Sequence, residues 1–221
     1  IAAKICHCLG VSTIVLWNSD LWCPNKQNFL ELLNRHKNDK SKMSGSKLIY
    51  PPEEMSLHET IDTPNIVKYF PSLLGGRWRE TVQFGGETWI MNQQAPVQFQ
   101  PAHYRRFGSF DDKLVDCDRG SLFLTGALQV FELQFFIDIG GLNPSLSKNY
   151  QDADITLKAY EHGACPMYYG KDIFFYHDES YTFESFEDEQ KIDEQFVSDQ
   201  MLFGKIWNEK IPSLLGLVAG V

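Results

Sequence analysis

Three short polar clusters in this sequence contain side chains that could do chemistry. They are Asn18-Ser19-Asp20, Asp152-Ala153-Asp154 and His177-Asp178-Glu179. Carboxylates can hold a divalent cation or take a proton from a hydroxyl group, and histidine is a common metal ligand. Each cluster alone also has a structural explanation, because Asn and Asp favour tight turns, acidic residues favour the first turn of a helix, and a histidine at a strand end is often a hydrogen-bonded surface residue.

The elements predicted around the first cluster follow the order strand, turn, helix. The apolar run T-I-V-L-W at residues 13–17 is typical of a buried strand, and it ends at Asn18. Further on, Phe29, Leu32 and Leu33 lie at helical spacing. Asn25 stands where the amino-terminal cap of that helix would be. This succession indicates an α/β protein, in which ligand groups commonly lie at the carboxyl ends of strands.

The other two polar clusters also lie at the ends of predicted helices or strands. Residues 45–51, G-S-K-L-I-Y-P, predict a strand, and S-L-F-L-T-G-A-L-Q-V-F at residues 121–131 predicts a strand and a small-residue turn. A short helix is predicted before Gly140-Gly141. Asp152 opens a predicted helix that ends at Gly163, and the last predicted strand stops at His177.

Two regions depart from this regular pattern. Residues 52–118 form an irregular insertion rich in Pro, Gly, Gln and aromatic residues. A stretch of that length without structure is uncommon in a compact domain, so we expect ordered hairpins within it. Residues 184–221 are predicted as a carboxyl-terminal helical tail, which leaves residues 1–183 as the main domain.

Composition limits the class of protein. The 221 residues are 43% hydrophobic and 14% aromatic, which is enough for a globular core. With 20 basic and 29 acidic residues the net charge is −9, which argues against nucleic acid as a partner. No window approaches the roughly 18 uninterrupted apolar residues of a membrane helix, so only peripheral membrane association is expected. The 5 cysteines are scattered and odd in number, which indicates reduced thiols.

Four segments together resemble family 2 glycosyltransferases of the GT-A fold. They are IVLWNSDLWCP, FLTGALQVFELQFFIDIGGLNPSL, YQDADITLKAYEHGACPMYYGKDIFFYHDES and FGKIW. The resemblance is to rhamnosyltransferase-like members, which act in polysaccharide biosynthesis, and it covers most of residues 11–207 with a loose match over the insertion. It implies an α/β fold with a GT-A-type mixed sheet flanked by helices and with the amino-terminal strands missing.

On the donor side, the resemblance implies that Asn18 and Asp20 bind a divalent cation, Mn²⁺ or Mg²⁺, which bridges the diphosphate of a nucleotide sugar. His177 aligns with a strand-end histidine near the metal or diphosphate, and the ligand and structural interpretations of it are equally weighted. The turn Thr125-Gly126-Ala127 resembles the one that lets the donor sugar approach the backbone. A tight packing turn between a strand and a helix would explain Gly126 equally well.

On the acceptor side, the resemblance assigns Asp152 as the general base that takes a proton from the attacking hydroxyl. Gln151 replaces the Glu that is usual in the family, which puts the positioning of the acceptor in question more than the reaction. Asp154 matches a further acidic position of the pattern, and Lys158 stands where Arg is common. For both, a structural role is the alternative, with Asp154 bonding to neighbouring backbone.

The insertion adds further acceptor-side candidates. Trp89 and His103 lead a group that combines aromatic faces with hydrogen-bond donors, as stacking on sugar rings and contacts with phosphate require. The other members of this group are Trp78, Arg79, Tyr104 and Arg105. A core or hairpin role is the default interpretation for the tryptophans.

The implied function is metal-dependent transfer of a sugar, with inversion, from a nucleotide-sugar donor to a glycan, lipid-linked or polysaccharide acceptor. One alternative is a non-catalytic glycan-binding or scaffolding protein with a degenerate GT-A fold, and a weaker one is a metal-dependent hydrolase of nucleotide sugars. The sequence begins at the helix before the metal turn, so we expect a fragment that binds donor weakly or not at all and exposes a sheet edge. The expected location is the cytoplasm, near the membrane face, with the Golgi lumen as an alternative.

Overall fold

The computed structural model of the chain describes residues 2–55, 77–92, 94–178 and 189–218. These residues form a mixed α/β structure in which helices flank mixed β-sheets. The α-helices are α1 (Ala2–Cys8), α2 (Lys26–Asn38), α3 (Leu133–Asp138), α4 (Gln151–Glu161), α5 (Glu189–Trp207) and α6 (Ile211–Val218). A short 3₁₀ helix covers Glu53–Met55.

The strands are β1 (Thr13–Trp17), β2 (Leu21–Trp22), β3 (Met43–Ser46), β4 (Leu48–Ile49), β5 (Val82–Phe84), β6 (Glu87–Met91), β7 (Phe99–His103), β8 (Asp118–Gly120), β9 (Leu128–Glu132), β10 (Met167–Tyr169) and β11 (Phe175–His177). They form a five-stranded sheet in the order β1-β9-β3-β10-β8, a four-stranded sheet in the order β2-β11-β4-β5, and the β6–β7 hairpin. The hairpin lies within the predicted irregular insertion.

The strand before the first polar cluster lies at an edge of the five-stranded sheet. β1 pairs antiparallel with β9, from Thr13 opposite Glu132 to Trp17 opposite Leu128. Its first four residues are half-buried and Trp17 is 40% exposed. The apolar run suggested a buried strand, and that prediction was wrong because β9 is the one strand paired with β1 among the described residues.

The strand predicted at residues 45–51 is divided between the two sheets. β3 pairs with β10 and β4 pairs with β11, both in parallel, and Lys47 lies at the break. The buried Lys47 Nζ donates to Asp116 Oδ1 at 2.7 Å and to the carbonyl oxygen of Phe110 at 3.1 Å. Sequence periodicity does not reveal this break, because the partners that satisfy the lysine lie more than 60 residues away.

Several local predictions are confirmed. Asn25 caps α2, since its side-chain oxygen accepts from the backbone N–H of Asn28 at 3.0 Å. The helix predicted before Gly140-Gly141 is α3, and both glycines have positive φ angles. The order predicted within residues 121–131 was wrong, because the turn comes first and strand β9 begins after it, at Leu128. All five cysteines are free.

The helices at the carboxyl end share the main hydrophobic core. Phe203 and Trp207 of α5 and Ile211 of α6 are buried in the same cluster as residues of β9, α4 and β11. Trp207 Nε1 also donates to Asp154 Oδ1 of α4 at 2.9 Å. Full burial of a large apolar side chain contributes about 1.5–3 kcal/mol, so these contacts hold α5 firmly against the sheet layer. In the described part of the chain, no helix is long and apolar enough to cross a membrane.

Candidate active site

The three polar clusters predicted from the sequence meet at one cavity of about 560 Å³, a volume within the usual range for small-molecule sites. Its walls come from the turn after β1, strand β5, the end of β7, the turn before β9, the start of α4 and the end of β11. The residues that line it are Asn18, Ser19, Asp20, Gln83, His103, Thr125, Gly126, Ala127, Lys148, Asn149, Tyr150, Gln151, Asp152 and His177.

Asp20 and His177 form one wall. Antiparallel pairing of β2 with β11 places Leu21 opposite His177, and the backbone N–H of Asp178 donates to the carbonyl oxygen of Asp20 at 3.0 Å. This pairing brings Asp20 Oδ1 within 3.3 Å of His177 Nε2, and each residue is 6% exposed. Within the described residues neither ring nitrogen of His177 makes a hydrogen bond. Buried polar atoms without partners are rare in folded proteins, which makes this wall a candidate for ligand contact.

The Asp20 wall fits a hard divalent cation. No group of three or more His, Cys, Asp or Glu side chains suited to a metal ion is found among the described residues. Mg²⁺ often takes only one or two protein carboxylates and completes its shell with phosphate and water. Asp20 supplies such a carboxylate, His177 Nε2 lies 3.3 Å from it, and Asn18 lines the same cavity.

Asp152 lines the same cavity at the start of α4. Its Oδ2 accepts from the backbone N–H of Gly126 at 2.9 Å, and its Oδ1 accepts from that of Ala153 at 2.9 Å. Burial raises the pKa of this carboxyl group, although the two backbone hydrogen bonds act in the opposite direction. A carboxylate with a raised pKa at a cavity wall is suited to accept a proton.

The loop that leads into α4 is held by a residue that the sequence analysis missed. Asp199 of α5 is buried, and its carboxylate accepts from the backbone N–H groups of Ser147 and Lys148 at 3.0 Å and of Asn149 at 2.8 Å. Although burial opposes it, these hydrogen bonds lower the pKa of Asp199. The loop then reaches Tyr150, which has a left-handed φ of 62°. Such a conformation is disfavoured for a tyrosine and is typical of functional sites.

Gln83 is the second residue that the sequence analysis missed. It is 1% exposed, it lines the cavity, and its Oε1 has no hydrogen-bond partner in the described part of the chain. His103 Nδ1 donates to the carbonyl oxygen of Gln83 at 2.8 Å, which ties β7 to β5 at the cavity. Nothing in the sequence around Gln83 distinguishes it from an ordinary strand residue. Only the fold shows that it faces the same space as Asp20 and Asp152.

The structure brings most of the predicted site residues together and leaves two outside. Asp154 is fully buried. Its Oδ2 lies 2.8 Å from Lys158 Nζ, and its Oδ1 accepts a hydrogen bond from Trp207 Nε1. Trp89 lies in the hairpin, where its Nε1 donates to the carbonyl oxygen of Leu122 at 3.3 Å. Neither is among the residues that line the cavity. Trp89 has the hairpin role that was the alternative interpretation, whereas Asp154 has a structural role through two side chains rather than through neighbouring backbone.

The other residues predicted from the sequence differ in whether they line the cavity. Gln151 lines the cavity, and its Nε2 donates to the carbonyl oxygen of Leu146. Trp78 is fully buried with its ring edge-on to Tyr50, at 5.1 Å between centroids. Of the insertion group, His103 alone is among the lining residues described. Glu179 and Ser180 lie outside the described residues.

The cavity therefore combines two chemical capacities. Asp20 and His177 can hold a cation, and through that cation they can hold an anionic ligand. The Asp152 carboxylate can accept a proton. Asn18, Gln83 and Thr125 add polar side chains to the lining, and these can bind hydroxyl groups of a small ligand. No protein-family model matches this chain, and no curated protein matches it.

Proposed function

We propose that the protein transfers a sugar from a nucleotide-sugar donor to a hydroxyl group of a glycan or lipid-linked sugar, on a GT-A-type fold. One observation carries the proposal: Asp20 and His177, suited to a cation and diphosphate, share a cavity of about 560 Å³ with Asp152, suited to act as a base. The resemblance of the four sequence segments to family 2 glycosyltransferases supports it.

The donor diphosphate lies at the Asp20 wall in this proposal. Asp20, with Asn18 and His177 beside it, would hold Mn²⁺ or Mg²⁺ there. The bound cation supplies charge neutralisation for the leaving diphosphate. The backbone N–H of Asn18 donates to the carbonyl oxygen of Ala127 at 3.0 Å, which fixes the turn at Thr125–Ala127 next to Asn18. The small side chains of this turn leave room for the donor sugar.

The transfer step uses Asp152. The acceptor hydroxyl oxygen attacks the anomeric carbon, its proton passes to the Asp152 carboxylate, and the bond from the anomeric carbon to the diphosphate oxygen breaks. The electron pair of that bond leaves with the nucleoside diphosphate, and direct displacement inverts the anomeric centre. Burial raises the pKa of Asp152 and so strengthens it as a base.

A glycan-binding protein without turnover is the second candidate. Gln151 favours it, because this neutral side chain stands beside Asp152 and its amide nitrogen is already bonded to the Leu146 carbonyl oxygen. Such a protein would use the same cavity for recognition, with Asp152 as a hydrogen-bond acceptor.

Calorimetric titration of the full-length protein with nucleoside diphosphates and their sugars, with and without Mn²⁺, tests the proposal. We expect binding that requires Mn²⁺, that is lost in Asp20→Ala and that is kept in the control Glu209→Gln, whose exposed carboxylate lies outside the cavity. Asp152→Asn should keep nucleotide affinity and lose turnover at least a hundredfold. Absence of binding for every nucleotide would overturn the proposal, and glycan binding that survives in Asp152→Asn without turnover in the wild type would favour the second candidate.

A further inference from the structure

A second cavity, of about 330 Å³, adjoins the first at Asp152. The two cavities share Asp152, Tyr150, Asn149 and His103. Asp152 therefore lines both cavities, whereas Asp20 and His177 line the first one. A carboxylate in this position can contact two different molecules at the same time.

The second cavity has aromatic walls. Phe196 of α5 lies at its rim and is 42% exposed, whereas Phe123 on another wall is 3% exposed. The rings of Tyr150 and Phe196 have centroids 6.0 Å apart and are tilted by 39°. Tyr150 is stacked on the buried Phe203 at 4.8 Å. An aromatic ring at the rim of a cavity, exposed yet backed by a packed ring, is a platform for a flat apolar surface.

Helix α5 fixes both this platform and the loop beside it. Phe196 and Asp199 are three residues apart on α5, so they lie on neighbouring parts of one helix face. Phe196 contacts the Tyr150 ring, and Asp199 binds the backbone of the three residues that precede Tyr150. Residues about 50 positions apart in the sequence thus hold the second cavity in place. Such support is typical of a preorganised binding site.

The polar residues of the second cavity limit what it can bind. Gln100 and Asn149, which carry side-chain amides, line this cavity together with the aromatic residues. Asn149 Nδ2 lies 3.5 Å from Asp199 Oδ2. A hydrocarbon chain would displace water from the Gln100 amide without replacing its hydrogen bonds, which is costly. A sugar ring offers an apolar C–H face for the aromatic rings and hydroxyl groups for the amides, and it carries no charge that would be repelled by Asp152.

We infer that the second cavity binds a sugar ring of the acceptor, stacked on Phe196 and Tyr150 with one hydroxyl group directed at Asp152. This inference rests on the proposed function, since it makes Asp152 the junction between a donor space and an acceptor space. It assigns recognition of the acceptor sugar to α5 rather than to Trp89 or Asp154.

Saturation-transfer NMR of the full-length protein with methyl glycosides of glucose, galactose, mannose, rhamnose and N-acetylglucosamine tests the inference. The affinity for the best glycoside should fall roughly five- to tenfold in Phe196→Ala, the size expected for loss of one aromatic contact, and it should be kept in Phe196→Tyr. The control Val197→Ala changes an adjacent side chain that is 54% exposed and outside the cavity, and it should change the affinity by less than about twofold.

The same samples are titrated with nucleoside diphosphates and Mn²⁺, so that the two proposals can fail separately. Nucleotide affinity should be equal in the wild type and Phe196→Ala. If nucleotides bind and no glycoside binds, or if Phe196→Ala binds glycosides as the wild type does, the inference about the second cavity is overturned and the donor site stands. If Phe196-dependent glycoside binding is found without any nucleotide binding, the second cavity is supported and the transferase proposal fails.

Discussion

Asp152 Oδ2 accepts a hydrogen bond from the backbone N–H of Gly126 at 2.9 Å, which joins the turn before β9 directly to the first turn of α4. A Cβ atom at Gly126 would lie 3.2 Å from Asp152 Cβ and 3.3 Å from Oδ2. The glycine therefore allows the turn to approach the carboxylate closely enough for this hydrogen bond.

Gly126→Ala should displace Asp152 by a few tenths of an ångström. We expect transferase turnover to fall by roughly ten- to a hundredfold, since small misplacements of a reacting group are costly, while nucleotide affinity changes little. Steady-state kinetics and calorimetry measure the two effects. The matched control is Gly216→Ala in α6, where the added methyl group meets nothing within 4 Å. Turnover in Gly126→Ala equal to that of the control would show that this contact does not position Asp152.

Asp199→Asn should destabilise the loop before α4. The carboxylate accepts from three backbone N–H groups, whereas the amide of Asn turns one of its two acceptor atoms into a donor. We expect a loss of about 2–3 kcal/mol in the free energy of unfolding, the range for hydrogen bonds to a charged group, measured by urea denaturation. Asp138→Asn is the control, because Asp138 accepts from Gln134 on an exposed helix surface.

The pH dependence of this contribution has a defined sign. The pKa of Asp199 is lowered in the folded protein, so its contribution is complete above the ordinary value of 3.8 and is lost as the pH falls below it. Asp199→Asn should therefore differ from the wild type most at neutral pH. An equal difference at pH 7 and at pH 2 would contradict the assigned role of the charge.

The sequence predicted those parts of the site that depend on local order. The turn after β1, the start of α4 and the end of β11 are each set by a few neighbouring residues, so Asp20, Asp152 and His177 could be assigned to element ends that meet. Asp199 and Gln83 could not be found in this way, because their roles arise from partners in distant segments. The same reason explains Lys47, whose burial depends on Asp116. Local patterns predict elements, but which side chains share a space depends on how those elements pack.

Gln83→Leu should weaken ligand binding without weakening the fold. The Oε1 atom is buried and has no partner among the described residues, so its replacement by an apolar group of similar size should leave stability unchanged or slightly higher. Binding of a nucleotide sugar should weaken by roughly tenfold, since one hydroxyl contact is removed, and binding of the nucleoside diphosphate alone should be unchanged.

Gln129→Leu provides the matched control for this prediction. Gln129 is also fully buried with an unpartnered Oε1 in the described part of the chain, but it is not among the residues that line the cavity. Its Nε2 donates to the carbonyl oxygen of Leu124 at 2.8 Å. Gln129→Leu should therefore lower the free energy of unfolding by about 1–3 kcal/mol and leave the affinity for the nucleotide sugar unchanged. Equal losses of sugar affinity in both variants would refute the assignment of Gln83 to ligand contact.

His36 should make the fold sensitive to acid. Its ring is 4% exposed against β3, with Nδ1 2.8 Å from Ser44 Oγ, and burial lowers its pKa from 6.5 to about 4, although the charge of Glu132 opposes this shift. The unfolded chain therefore takes up a proton near pH 6.5, whereas the folded protein does so only near pH 4. The contribution of His36 to stability is complete above that range and falls by about 3 kcal/mol as the pH drops through it.

Urea denaturation between pH 7 and pH 4 should show this fall in the wild type and in His162→Gln, which changes an exposed ring, and a shallower fall in His36→Gln. Parallel pH profiles for the wild type and His36→Gln would mean that other groups cause the acid sensitivity.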